Sequence, residues 1–280
     1  MATVTTSTGS RARLSQRRLV RQEPSYSGSG SSPALSLTYS HSVLVSFQIE
    51  QRQLLPLLPK GLEPELIRSG HYINVVATHY RRSAIWGLPL VPAFNSLVLS
   101  TNVRAAANSD LKGKFVFRRR ISQSMAAWQL QRKLDLKPDV SDINWNAASN
   151  SSSSLPAVNF TWKAREAANY LKVKARSRIG NVLQHPKARW ILDHRSEFAI
   201  SQGPDLQENL RIHHALPDTN CKVYDVAQAG FKCDALKLFG AEFTKAIARR
   251  ASSVILMCDG TKAFTSGEVI ENSKQADGKA

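Results

Sequence analysis

The sequence predicts a mostly β chain, α+β in detail: an antiparallel barrel or sandwich with a few short helices. Three observations lead there. About ten segments alternate apolar and polar side chains with period two, the signature of half-buried strands. No strand–helix–strand rhythm repeats, which disfavours a doubly wound nucleotide fold. Apolar residues make up 42% of 280. That is enough for a sizeable core, yet no apolar run is long enough to cross a membrane as a helix.

Residues 1–36 are Ser, Thr, Gly and Arg with few large apolar side chains, and read as a disordered basic tail. Its acid-poor, Arg- and Ser-rich make-up equally fits an organelle transit peptide. It has no apolar stretch of the kind a secretory signal needs. A single domain is expected over 37–270, followed by a frayed tail at 271–280.

Within the domain, "HSVLVSFQIE" reads as a strand with Val43, Val45, Phe47 and Ile49 on one face. "QRQLLPLLPKGLEPE" gives a short helical turn stopped by Pro56 and Pro59, then a Lys60-Gly61 turn. In "GHYINVVATHYRR", Ile73, Val75, Ala77 and His79 share one face. "SLVLSTNVRAA" and "GKFVFRRRIS" are two further strands. "QSMAAWQLQRKL" is a short amphipathic helix ending near Leu134.

"DINWNAA", "AVNFTWKA" and "YLKVKARSRIG" follow as antiparallel strands. The last sets Leu171, Val173 and Ala175 against Lys172, Lys174, Arg176 and Arg178, a core face and a solvated basic face. "ARWILDHRSEFAI" reads as a helix or helical turn with Trp190, Ile191 and Phe198 inward. "LRIHHAL" and "KVYDVAQAGFKC" read as strands, and "FGAEFTKAIARRA" as a helix. Asp259-Gly260 marks a hairpin turn within "SSVILMCDGTKAF".

The formal net charge is +17, which favours anionic ligands or polyanion partners. Arg11, Arg13, Arg17, Arg18 and Arg21 precede the first acid. Residues 104–137 and 163–195 each hold nine Lys/Arg against two acids. Aromatics beside these charges sit at expected core positions and no nucleic-acid module is visible. Any nucleic-acid binding is therefore expected to be nonspecific, through the tail and basic faces.

Cys221, Cys233 and Cys258 match neither a disulfide framework nor a zinc site, and are expected to be reduced thiols in a cytoplasmic protein. No metal and no cofactor is expected: the phosphate loop, the nucleophile elbow and the His-Glu-x-x-His helix are all missing. Adjacent His213 and His214 would point to opposite faces of a strand. His79, on an inner strand face, is a candidate acid–base group. In "FVFRRRIS", Arg118 and Arg120 share one face and Arg119 the other, so at least one arginine faces inward or ends a strand. An inward arginine needs a carboxylate, its own or a ligand's. Arg104 in "TNVRAA" raises the same question, so Arg104, Arg118 and Arg120 are the candidate anion contacts.

The order of motifs resembles the YqjF-like family, DUF2071. Its leucine- and proline-rich turn is Leu54–Pro59, its "PxGLE" element is Pro59–Glu63, and its Gly-x-aromatic strand start is Gly70–Tyr72. The likeness continues through Gly87-Leu88-Pro89, Asn102-x-Arg104 and "GKFVFRRRIS" followed by a helix. It closes with "VYDVAQAGFKCDALKLFGAEF" and "SSVILMCDGTKAF".

The resemblance implies an acetoacetate-decarboxylase-like closed β-barrel around a cavity. That enzyme's nucleophile lies in a Pro-Lys-Lys segment just after a helix. The matching place here is "LDLKPDVSD", where Pro138 is followed by Asp139 and Val140. The lysine pair is missing and Lys137 lies before the proline, so Lys137 reads as an ordinary charge at a turn. The leading expectation is a small anionic or carbonyl-bearing molecule held in the cavity. A lyase-like enzyme using a non-standard lysine, Lys137 or Lys133, is the second reading, and a polyanion binder the third.

Overall fold

A computed structural model describes residues 35–67, 70–85, 88–134, 136–148, 155–164, 167–181, 196–202, 208–214, 221–232, 253–264 and 268–270. All of them lie in one compact unit, Ser32–Ala280. The expected tails at 1–36 and 271–280 lie outside the described residues, except that Leu35 and Ser36 open the first strand. The helix expected at 239–251, Cys233, Trp190 and Ile191 also lie outside them.

The chain is built on strands, as its period-two patterning predicts. The central ones are β1 (Leu35–Ile49), β3 (His71–Ile85), β5 (Phe94–Ala105) and β6 (Lys112–Ile121). Short β2 (Leu62–Pro64) and β4 (Leu88–Val91) pair beside them. After helix α1 (Gln51–Leu54) and a 3-10 turn (Leu55–Leu57), Gly61 turns the chain into β2 at φ 87°, a left-handed conformation that suits glycine. Helix α2 (Ser124–Leu134) ends where the sequence predicts.

Beyond α2 come β7 (Asp139–Val140), β8 (Ile143–Ala148), β9 (Ala157–Ala164) and β10 (Ala167–Asn181). The chain continues through β11 (Glu197–Gln202), β12 (Glu208–His213), β13 (Lys222–Lys232), β14 (Ser253–Phe264) and β15 (Glu268–Val269). The described strands form one path, β15-β12-β11-β6-β5-β3-β1-β14-β13-β10-β9-β8. Its neighbours are antiparallel apart from β6–β11; off the path, β6–β7 is also parallel. Among the described residues the fold is mostly β with two short α-helices, as expected. The expected closure is not found among the described residues, because the path ends at β8 and β15 rather than joining them.

Both faces of the central strands are buried, by different partners. Val43, Val45, Ile73, Val75, Ala77, Leu97 and Leu99 face Phe160, Trp162, Leu171 and Val173 of β9 and β10. The opposite face carries Leu44, Val76, Val98 and Ile121 and receives Ala126, Leu130 and Leu134 of α2. On β10, Leu171, Val173 and Ala175 are buried while Lys172, Lys174, Arg176 and Arg178 stay in solvent, the division the alternation predicts.

Two sequence expectations are corrected. Residues 197–202 are a strand, not the end of a helix. Glu197 and Phe198 fall on opposite faces and pair in parallel with Lys114 and Phe115. Phe198 is nonetheless inward, in a third apolar cluster with Val103 and Leu210. Asp259-Gly260 does not reverse the chain. β14 runs unbroken to Phe264, and Asp259 takes φ 52° within it, held by Arg81 at 3.0 Å and Lys222 at 3.1 Å. Aspartate tolerates the left-handed region, so a turn-forming dipeptide is absorbed as a local twist.

Candidate functional site

The chemistry gathers where β6 breaks its alternation. In the β5–β6 pairing, Leu99 opposes Arg118 but Ser100 opposes Val116, so Phe117 is an extra residue, a β-bulge. A bulge rephases the strand by one residue. Lys114 and Val116 before it therefore share a face with Arg119 and Ile121 after it. Val116 and Ile121 pack in the core under α2, while Phe117 packs in the core on the other side. Arg119 is the inward arginine, 6% exposed, and its guanidinium pairs with Glu197, which is 2% exposed.

The parallel β6–β11 pair sets Glu197 directly opposite Lys114. The Lys114 backbone N–H donates to the Ser196 carbonyl at 2.8 Å. Gly113 makes this approach possible, since a Cβ there would lie 2.6 Å from the Ser196 oxygen. β12 brings His213 opposite Glu197. β14 contributes Lys262 opposite Leu37, on the same core face. Three cations, one carboxylate and one imidazole thus gather around one spot, with Arg119, Glu197 and His213 buried and Lys114 and Lys262 partly exposed.

Their electrostatics follow from that placement. Burial, then Lys262, pushes the Lys114 ammonium down to about 7, with Glu197 opposing the change. Burial alone would raise the Glu197 carboxyl, but Arg119, then Lys114, Lys262 and His213, outweigh it and hold it below the usual carboxylate range. Burial pushes His213 down and lifts the Tyr80 hydroxyl to about 12. The site therefore offers a lysine whose ammonium form is disfavoured, beside a fixed ion pair.

Polar residues tile the neighbouring strands on this face. The Ser42 and Thr78 hydroxyls bond each other at 2.8 Å. The Ser46 hydroxyl donates to Asn74 Oδ1 at 2.7 Å, and Asn74 Nδ2 donates to Asn102 Oδ1 at 2.6 Å. Asn102 lies directly opposite Lys114.

The residues singled out from sequence lie elsewhere. Arg104 is partly exposed and donates from Nη2 to Glu63 at 2.9 Å, with Glu65 4.0 Å from its Nε. Arg118 is exposed and pairs with Asp139 at 2.7 Å. Arg120 is partly buried on the face away from Arg119. Lys137 is exposed between α2 and β7, and the Lys133 side chain is not among those described. His79 sits on the far face of the sheet, its Nδ1 2.7 Å from Asn95 Oδ1 and its ring stacked on Trp145 at 5.5 Å. Lys114 and Glu197 were not picked out from the sequence. The signal available was a lysine at a strand start next to a glycine, and it gave no hint of the carboxylate opposite.

A cavity of about 240 Å³ lies where β13 and β14 part beyond Tyr224–Leu256, lined by Ile179, Val223, Asp225, Ala229 and Ser253 among others. It shares no residue with the charged cluster and has no cation in its lining. It is a gap between splayed strands rather than the seat of chemistry. Among the described residues, no group of three or more His, Cys, Asp or Glu is placed to hold a metal. No helix there is long and apolar enough to cross a membrane. Cys221 and Cys258 are buried thiols, and burial pushes Cys258 up to about 12.

Residues 36–261 match the family of uncharacterized conserved proteins DUF2071. The chain belongs to that family. Among curated proteins none matches it. Solved structures relate this DUF2071 chain to a wider fold. The enduracididine biosynthesis enzyme MppR, complexed with pyruvate, superposes with a TM-score of 0.62 at 9% identity, over 89% of this chain and 95% of that one. Acetoacetate decarboxylase from Legionella pneumophila gives 0.62 at 10% identity, over 95% and 98%. An acetoacetate decarboxylase-like enzyme from Sphingomonas wittichii RW1 gives 0.61 at 12% identity, over 85% and 94%. At such identities the likeness establishes the fold of this DUF2071 member and nothing about its site.

Proposed function

We propose that this chain holds a small carbonyl-bearing organic anion at the interior cluster and joins it to Lys114 as an imine. One observation carries the reading. Lys114 stands directly opposite Glu197, on the same face as Arg119 and beside Lys262, in a desolvated setting. A lysine in such a place is activated as a nucleophile because its neutral form is favoured. The cations supply attraction for a carboxylate.

In the step itself, the neutral Nζ attacks the carbonyl carbon and a C–N bond forms. The carbonyl oxygen takes one proton from that nitrogen and one from solvent and leaves as water, and the nitrogen keeps its remaining proton as an iminium. Glu197, already paired with Arg119, balances that positive charge. The iminium then draws electron density from the neighbouring carbon, which is what lyase-type chemistry requires. Pyruvate in the MppR structure makes a 2-oxo acid the natural first probe.

The test is intact mass after borohydride reduction in the presence of pyruvate, with peptide mapping. A gain localised to Lys114, absent from Lys114→Met, is the expected result. Absence of any adduct at Lys114 under conditions that trap a control imine enzyme would remove the proposal.

A further inference from the structure

The polar tiling beside Lys114 is incomplete in a way that points to the ligand. Most buried polar side chains on this face satisfy one another: Ser42 with Thr78, and Ser46 with Asn74 with Asn102. Arg119 Nε and both His213 ring nitrogens are exceptions within the charged cluster, and a second group of exceptions lies on β5. Asn102 Nδ2, Ser100 Oγ and Ser96 Oγ are buried with no partner, and their residues are 2%, 0% and 1% exposed. They alternate along the strand, so all three point to the same face as Lys114, Val116 and Ile121, which they oppose across the β5–β6 pair.

The relay also fixes what Asn102 has to offer. Its Oδ1 accepts from Asn74, whose own Oδ1 accepts from Ser46. Both N–H groups of Asn102 Nδ2 are therefore left to donate. A buried donor left unsatisfied costs about 1–3 kcal/mol, so such atoms in a row call for an acceptor. A bare keto acid, spent on Lys114 and the cations, would leave them unmatched.

We infer that the ligand is a hydroxylated 2-oxo acid, whose hydroxyl-bearing chain lies along β5 against Asn102 and Ser100. This rests on the reading of Lys114 as the imine-forming lysine. Neighbouring same-face positions on a strand are roughly 7 Å apart. Asn102 lies directly opposite Lys114 and Ser100 is the next position on that face, so a hydroxyl two carbons beyond the carbonyl would point along β5 toward them.

The test uses two probes of nearly equal shape, 4-hydroxy-2-oxobutanoate and 2-oxopentanoate, which differ in a hydroxyl against a methyl. Each is trapped on the full chain with borohydride over a range of concentrations, with pyruvate alongside. The hydroxylated acid should reach half-maximal labelling of Lys114 at about tenfold lower concentration, the scale of one net hydrogen bond. Ser100→Ala should shrink that ratio severalfold without lowering pyruvate trapping. Removing an orphan hydroxyl should leave folding unharmed, so a folding defect would not mask the readout. Equal labelling by the two probes, or a ratio untouched by Ser100→Ala, overturns the inference while leaving Lys114 as the nucleophile. No labelling of Lys114 by any of the three acids overturns both.

Discussion

Arg118 and Arg119 are neighbours in sequence and opposites in physics. Arg118 reaches into solvent to pair with Asp139 of β7, the next strand in sequence, which forms a short parallel bridge with β6. Arg119 turns inward to Glu197, with both side chains almost wholly buried. The exposed pair exchanges water for a weak, screened contact. The buried pair gives up hydration on both partners and holds together through short-range attraction. The buried pair acts on Lys114 with opposing signs, Glu197 favouring its ammonium and Arg119 disfavouring it, while burial and Lys262 supply the larger push.

Breaking the buried partner should have the largest effect. Arg119→Met leaves Glu197 charged and buried, and should cost about 3–5 kcal/mol in urea unfolding. Arg119→Met with Glu197→Leu should recover most of that loss. A single variant as stable as the parent would mean that the pair is not desolvated.

Gly113→Ala comes next. Its Cβ would strike the Ser196 carbonyl and press on Phe198, prising β11 from β6 where Glu197 meets Lys114. Overpacking of this kind costs about 1–3 kcal/mol. It should also lower trapping at Lys114, because the carboxylate moves away. Hydrogen exchange at the Lys114 amide, which bonds Ser196, would report the loosening directly.

Arg118→Ala and Arg104→Ala should do least. Each removes an exposed ion pair worth at most about 1 kcal/mol. Arg118 lies on the other face of β6, and Arg104, at the β5 end, is occupied by Glu63 and Glu65, so pyruvate trapping should be unchanged in both. A lost adduct in either would move the anion contact back to the surface arginines singled out from their sequence positions.

What the sequence made legible follows the same division. Strands with unbroken alternation were readable almost to the residue: β9 spans Ala157–Ala164, and β10 sorts its lysines and arginines outward as patterned. The need for an inward arginine with a carboxylate was legible too, as a rule about desolvation. Its identity was not. The bulge at Phe117 brings Lys114 into phase with Arg119, and a period-two reading of "GKFVFRRRIS" has no way to place an extra residue. The carboxylate lies 78 positions away, in a segment whose charges and aromatics look helical until β6 recruits it as a parallel strand. Asp259-Gly260 failed for the converse reason: a strong local turn signal was overridden by pairing with β1 on both sides of it.

The central claim is that Lys114 is a neutral, reactive amine near physiological pH, and reductive trapping with pyruvate mapped to Lys114 across pH 5–10 tests it most directly. With its ammonium depressed to about 7, labelling should rise as pH passes through that value and level off above it. Exposed surface lysines should stay nearly unlabelled at neutral pH. A Lys114 profile that rises only towards pH 10, or labelling spread evenly over surface lysines, would contradict the account.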